Sequence, residues 1–280
     1  MEVGIYTHTF AQRELAPVLD AVTSHGLHAV QLGLDSAGLE TMPDEIKPAD
    51  AARIRGQMEA KGVRAAALGG TYNMIDPDVA KRRDGMRRLG VLAASAKALG
   101  SSVITLCSGT RDPNSMWRRH PDNDTPEAWN DMIAAMAEAA ALAEAHGVTL
   151  GVEPEVANVV DSAKKARRML DEVRSPNLKI CIDGANVFHL GELPRQREIL
   201  DEAFQLLGDD IALAHAKDLD HDGAAGHLAA GHGLLDYDHY LALLHQIGFA
   251  GTIILHGLTE QQIDGCVEFL RTKIARIEGG

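Results

Sequence analysis

Five times along this chain a helical pattern closes on a glycine, and an apolar run begins within four residues. The junctions are Ser24-His25-Gly26, Ala60-Lys61-Gly62, Ala98-Leu99-Gly100, Ala145-His146-Gly147 and Gln246-Ile247-Gly248. Glycine suits these positions because a helix commonly ends on a left-handed residue, a conformation that a side chain opposes. The runs that follow, residues 29–34, 64–68, 102–106, 149–152 and 252–255, read as short buried strands. Residues 178–182 and 211–214 keep the same rhythm after Pro176-Asn177 and Gly208-Asp209, and residues 4–6 bring the number of strands to eight. Stretches with a 3.6-residue apolar period lie between them, for example residues 129–145 and 163–173. Strands that alternate with helices run parallel, and right-handed crossovers close eight such units into a barrel. An open doubly wound sheet would carry a glycine-rich phosphate turn after a strand. Neither G-x-G-x-x-G nor G-x-x-x-x-G-K-[ST] stands in such a place. The expected fold is therefore α/β, a single (β/α)8 TIM barrel spanning residues 1–280 as one domain.

Charge and cysteine content narrow the partners. The net charge is −13, from 27 Lys+Arg against 40 Asp+Glu. A phosphate backbone selects basic stripes, so nucleic acid is not an expected partner. Cys107, Cys181 and Cys266 are scattered and form no C-x-x-C, which argues against a disulfide framework or a zinc ribbon. The start shows no basic region followed by an apolar stretch, and no apolar run reaches the roughly 18 residues of a membrane span. The expectation is a cytoplasmic enzyme with no membrane partner, a possible homo-oligomer. The longest insertion, residues 108–125, follows the fourth strand and is expected to lie over the catalytic face as a lid.

In such a barrel the active site forms at the C-terminal ends of the strands. Four successive apolar runs lead into groups that can bind metal: Glu153 after the fifth, Asp183 after the sixth, His215 after the seventh and His256 after the eighth. Strand alternation puts Gly151 and Glu155 on the side of Glu153, Cys181 with Asp183, and Leu213 and Lys217 with His215. Two carboxylates and two imidazoles make a mixed oxygen and nitrogen set that suits Mn²⁺, Co²⁺, Zn²⁺ or Fe²⁺ better than Ca²⁺.

The segments Gly151-Val-Glu153-Pro-Glu155, Asp183-Gly-Ala-Asn186 and His215-Ala-Lys217-Asp218 resemble the xylose isomerase-like TIM barrel superfamily. So do Gly231-His-Gly233-Leu-Leu-Asp236-Tyr237 and Gly248-Phe-Ala-Gly251-Thr-Ile-Ile-Leu. The superfamily includes sugar-phosphate isomerases and epimerases, ketose 3-epimerases, inosose dehydratase and endonuclease IV. The resemblance implies a divalent metal, Mn²⁺ first and Mg²⁺ also possible, held by Glu153, Asp183, His215 and His256. It departs from the family at His256, where the ketose 3-epimerases carry a second acid/base glutamate. It departs again at Asn186, where a histidine is often found. Asn186 can orient a hydroxyl or a water but cannot carry a proton at neutral pH.

The expected function is a metal-dependent isomerase or epimerase of a ketose, aldose or polyol-derived substrate, with Glu153 as base and His256 or a metal-bound water returning the proton. The alternative on the same scaffold is a lyase: a dehydratase, a decarboxylase or a 3-keto-glycoside eliminase. A non-catalytic sugar-binding protein or complex subunit is a more distant possibility. Glu155, Asn186, Lys217, His8, Arg111 and Trp117 are the expected substrate-binding residues. Gly231 and Gly233 are read as a tight loop with His232 exposed between them, not as a phosphate cradle.

Overall fold

The computed structural model describes residues 1–279. Eight parallel strands close into a barrel: β1 (Glu2–Tyr6), β2 (Ala29–Leu32), β3 (Arg64–Gly69), β4 (Val103–Cys107), β5 (Thr149–Glu153), β6 (Leu178–Asp183), β7 (Ile211–Asp218) and β9 (Thr252–Leu255). The ring is completed by β1 against β9, β9 against β7 and β7 against β6. Eight helices surround it: α1 (Leu15–Ser24), α2 (Pro48–Ala60), α3 (Val79–Leu99), α4 (Pro126–His146), α5 (Ala163–Val173), α6 (Gln196–Leu207), α7 (Tyr237–Gln246) and α8 (Ile263–Glu278). All five junction glycines have positive φ, between 62° and 89°. Among the described residues no helix is long and apolar enough to cross a membrane.

At two strands the C-terminal end departs from the sequence reading by two residues or more. β2 stops at Leu32 because the Gly33 N–H donates to Thr7 Oγ1 at 2.9 Å and residues Leu34–Ala37 coil into a 3-10 turn. β7 runs on past His215 to Asp218, since its end pairs antiparallel with a short strand, β8 (Leu228–Ala229). His215 and Lys217 are thus held inside a strand, in fixed directions.

The barrel axis is plugged by Ala67, Cys181, Leu213 and Ile254, with Tyr6 packed against them. The larger core lies between the strands and the helices. Asp218, 1% exposed, pins the base of the β7–β8 hairpin. Its Oδ1 accepts from the Leu219 and Leu235 amides, both at 2.9 Å, and its Oδ2 from the Gly231 amide at 3.0 Å. A Cβ on Gly233 would stand 2.4 Å from Asp218 Oδ1, so only glycine fits there. The Gly231-His-Gly233 segment is thereby explained as backbone packing.

The insertion after β4 is stitched to the loop after β5. Asn158 Oδ1 accepts from the Gly109 amide at 2.7 Å, Ser108 Oγ accepts from the Val160 amide, and Asn123 donates to the Ala157 carbonyl. Arg119 reaches Asp161 at 3.0 Å, the Val156 carbonyl at 3.0 Å and Asp124 at 2.6 Å.

Candidate functional site

Glu153 and Asp183 are the last residues of β5 and β6, His215 faces inward from β7, and His256 follows β9 directly. Parallel register places Asp183 opposite His215 and Cys107 opposite Glu153. One donor atom from each of Glu153, Asp183, His215 and His256 lies within 4.8 Å of the others. His215 Nδ1 is 3.3 Å from Glu153 Oε1, and His256 Nε2 is 3.2 Å from Asp183 Oδ2. Lys217 Nζ stands 3.4 Å from Asp183 Oδ2 and 4.0 Å from Glu153 Oε1. Asn186 Nδ2 donates to Glu153 Oε1 at 2.7 Å.

A chain of hydrogen bonds across the barrel fixes how His215 presents itself. Thr105 Oγ1 donates to the Leu68 carbonyl at 3.3 Å, and Gln31 Nε2 donates to Thr105 Oγ1 at 3.1 Å. This turns Gln31 Oε1 towards His215 Nε2, 2.8 Å away, which donates to it. In the neutral ring the other nitrogen, Nδ1, then carries a lone pair. That atom is buried without a hydrogen-bond partner, facing the Glu153 carboxylate. A lone pair aimed at a carboxylate oxygen is stabilised by a cation beside both, so the donor set fits a divalent ion. The sequence signal for Gln31 was a single amide inside an otherwise apolar strand, Ala29-Val-Gln-Leu. We expect Gln31→Leu to weaken Mn²⁺ binding about 10- to 100-fold, the usual effect of removing an orienting partner of a ligand histidine. Titration calorimetry checks this, and unchanged affinity would separate Gln31 from the ligand set.

The charges of the group are set by one another. Burial opposes the ionisation of Glu153, but His215 and Lys217 outweigh it and hold the carboxyl below its ordinary range. Burial opposes ionisation of Asp183 as well, and Lys217 first, then His256, keep its carboxyl well below the usual carboxylate range. Burial also works against the charge on Lys217, yet Asp183 and Glu153 raise its pKa, so the ammonium persists. Burial, then Lys217 and His215, push His256 down to about 4. Its imidazole is therefore neutral at pH 7, with its Nε2 N–H donating to Asp183 Oδ2 at 3.2 Å.

The remaining expected residues divide into two groups. Asn186, Lys217 and, through a shared cavity, His8 are brought to the cluster. His8 and His256 both line a cavity of about 550 Å³ that also has Tyr6, His227 and Gln262 on its walls. His8 is 3.1 Å from Asp35 and its ring is 4.4 Å from that of Tyr6. Glu155 is buried and turned to its own loop: it accepts from the Ala157 amide at 2.9 Å and from Asn158 Nδ2 at 2.7 Å. Burial, offset in part by the Ala157 amide, pushes its carboxyl up to about 7. Arg111 donates to Asp131 at 2.5 Å and to the Ile75 carbonyl at 3.1 Å. Trp117 is 57% exposed on the insertion.

Comparison with known proteins gives the same frame. The chain matches a xylose isomerase domain protein from Planctomyces limnophilus at 16% identity, covering 100% of this chain and 98% of that one, with a TM-score of 0.76. An L-ribulose 3-epimerase matches at 17% identity over 100% and 96% of the two chains, TM-score 0.76. A structure described as a probable 3-DHS dehydratase, AsbF, from Bacillus anthracis matches at 14% over 97% and 99%, TM-score 0.73. At such identities the likeness carries the fold alone. No curated protein matches the chain by sequence. The sequence profile of the xylose isomerase-like TIM barrel family, however, matches residues 19–273, and the chain belongs to that family.

Proposed function

We propose that this protein is a divalent-metal-dependent isomerase or epimerase of a ketose, aldose or related polyol-derived substrate, working through an ene-diolate. The observation that carries the reading is the Glu153–Asp183–His215–His256 group, with His215 Nδ1 buried beside Glu153 and without a hydrogen-bond partner. A bound ion, Mn²⁺ first by the hardness of the carboxylates, supplies charge stabilisation at adjacent carbonyl and hydroxyl oxygens. Glu153 is the base: it is ionised, largely withdrawn from water, and held by Asn186 at 2.7 Å. Lys217 holds Asp183 and Glu153 in place and keeps their charges from driving the two strand ends apart. His256 bears a neutral imidazole on the cavity side; there it takes up a proton from solvent and returns it to the substrate, while Glu153 releases to solvent the proton it took. The epimerase and xylose isomerase domain relatives support this choice of substrate class.

A second reading, a metal-dependent lyase, is favoured by one observation. The eighth barrel strand ends in His256 instead of a second carboxylate, and elimination needs only one strong base. The dehydratase relative supports it. Incubation with candidate ketoses in D₂O distinguishes the two. An isomerase or epimerase exchanges one C–H for C–D and retains the substrate's atoms; a lyase releases water or another fragment. No exchange and no product from any sugar or 3-keto-glycoside, with Mn²⁺ bound, would remove both readings.

A further inference from the structure

We propose that Asp220, His221 and His227 form a second divalent-metal site at the rim of the barrel, taking a borderline transition ion such as Zn²⁺ or Ni²⁺. One donor atom from each residue lies within 4.8 Å of the others. Two imidazole nitrogens converge on one carboxylate oxygen: His221 Nδ1 pairs with Asp220 Oδ1, and His227 Nε2 is 3.3 Å from the same atom. The two rings lie 5.0 Å apart. All three side chains are exposed, so an ion can reach them without disturbing the core. Two imidazoles with one carboxylate and open positions beyond them favour borderline metals over Mg²⁺ or Ca²⁺, which take oxygen.

The loop that carries these donors is held in place before any ion arrives. The antiparallel register of Asp218 with Leu228 brings the arms bearing Asp220 and His227 side by side. The His227 amide donates to the Asp218 carbonyl at 3.0 Å, and the Gly223 amide to the Phe188 carbonyl at 2.9 Å. The Gly226 amide donates to Asn186 Oδ1 at 2.9 Å. Asn186 is also the residue that donates to Glu153 Oε1. A metal at the rim therefore braces the loop that holds Asn186, and through it the orientation of Glu153. His227 also faces the cavity shared with His256.

The test is zinc titration of the full chain by calorimetry, with circular dichroism to confirm folding. Wild type is expected to bind two equivalents. Asp183→Asn, which disables the barrel group, is expected to keep one. Adding His221→Asn and His227→Asn in that background should weaken the remaining equivalent at least tenfold, the scale of losing ligands. The same His pair placed in otherwise wild-type protein should leave one equivalent, at the barrel. If Asp183→Asn binds no zinc, or if the His pair changes neither stoichiometry nor affinity, the rim site does not exist. Loss of the barrel equivalent alone leaves it standing, so the rim assignment and the function proposed above fail separately.

Discussion

Glu153→Gln and Asp183→Asn are each expected to lower turnover by at least about 10³-fold while leaving a folded barrel. For Glu153 the figure is within the range that a general base contributes. For Asp183 it reflects loss of the charge on a buried candidate ligand. The amide is the right replacement because these groups are not free at the surface. Asp183 is fully buried; its Oδ1 accepts from the Ala185 amide at 2.9 Å, and its Oδ2 faces both Lys217 and His256. Alanine there strips a buried ammonium of its nearest partner and leaves a buried N–H unsatisfied, a change worth about 3 kcal/mol or more. Asp183→Ala should therefore melt well below Asp183→Asn, whereas Glu153, whose side chain is 14% exposed, should tolerate alanine better. Turnover measured beside thermal melts separates the two effects. Near-full activity in both amide variants would show that the chemistry lies elsewhere in the molecule.

What could be read in the sequence depended on how local its cause was. The strands β4, β5, β6 and β9 follow from apolar runs bounded by glycine or proline. The four candidate ligands follow because barrel topology sends every strand end to the same place. Gln31 is different. Its meaning comes from Thr105 and His215, which lie 74 and 184 residues away in sequence and meet it only across the closed barrel. The partners of Arg111 were hidden for a related reason. A guanidinium on a loop over the catalytic face invites a substrate, but the phase of α4 brings Asp131 within 2.5 Å of it. β8 is two residues long and without a periodic signal; it exists because β7 overruns the barrel and needs a partner. Glu155 lay on the expected side by strand alternation. The strand ends at Glu153, however, and after Pro154 the chain folds so that its carboxyl caps the Ala157 amide.

His256→Ala is expected to bind Mn²⁺ and Zn²⁺ at least tenfold more weakly than wild type, on the scale of losing one ligand. The imidazole enters the site already neutral, since burial and the charge of Lys217 hold its pKa near 4. The sign of the acid effect follows. The folded value lies below the ordinary 6.5, so the contribution to stability is complete above pH 6.5 and is lost as pH falls towards 4. In that window the unfolded chain takes a proton that the folded ring refuses. Metal-free His256→Ala should lack this part of the acid-induced fall in melting temperature, which a pH series of melts will reveal. His256→Glu restores an oxygen ligand and should still bind a divalent ion, with preference moving towards Mn²⁺ or Mg²⁺ because carboxylate is the harder donor. The new carboxylate would stand where Nε2 is now, 3.2 Å from Asp183 Oδ2. Without metal the two acids repel each other, so added Mn²⁺ should raise the melting temperature of His256→Glu more than that of wild type. Calorimetric titration of the three proteins with both metals decides the ligand question. Equal affinity in wild type and His256→Ala would take His256 out of the coordination set and leave it as a free proton carrier above Asp183.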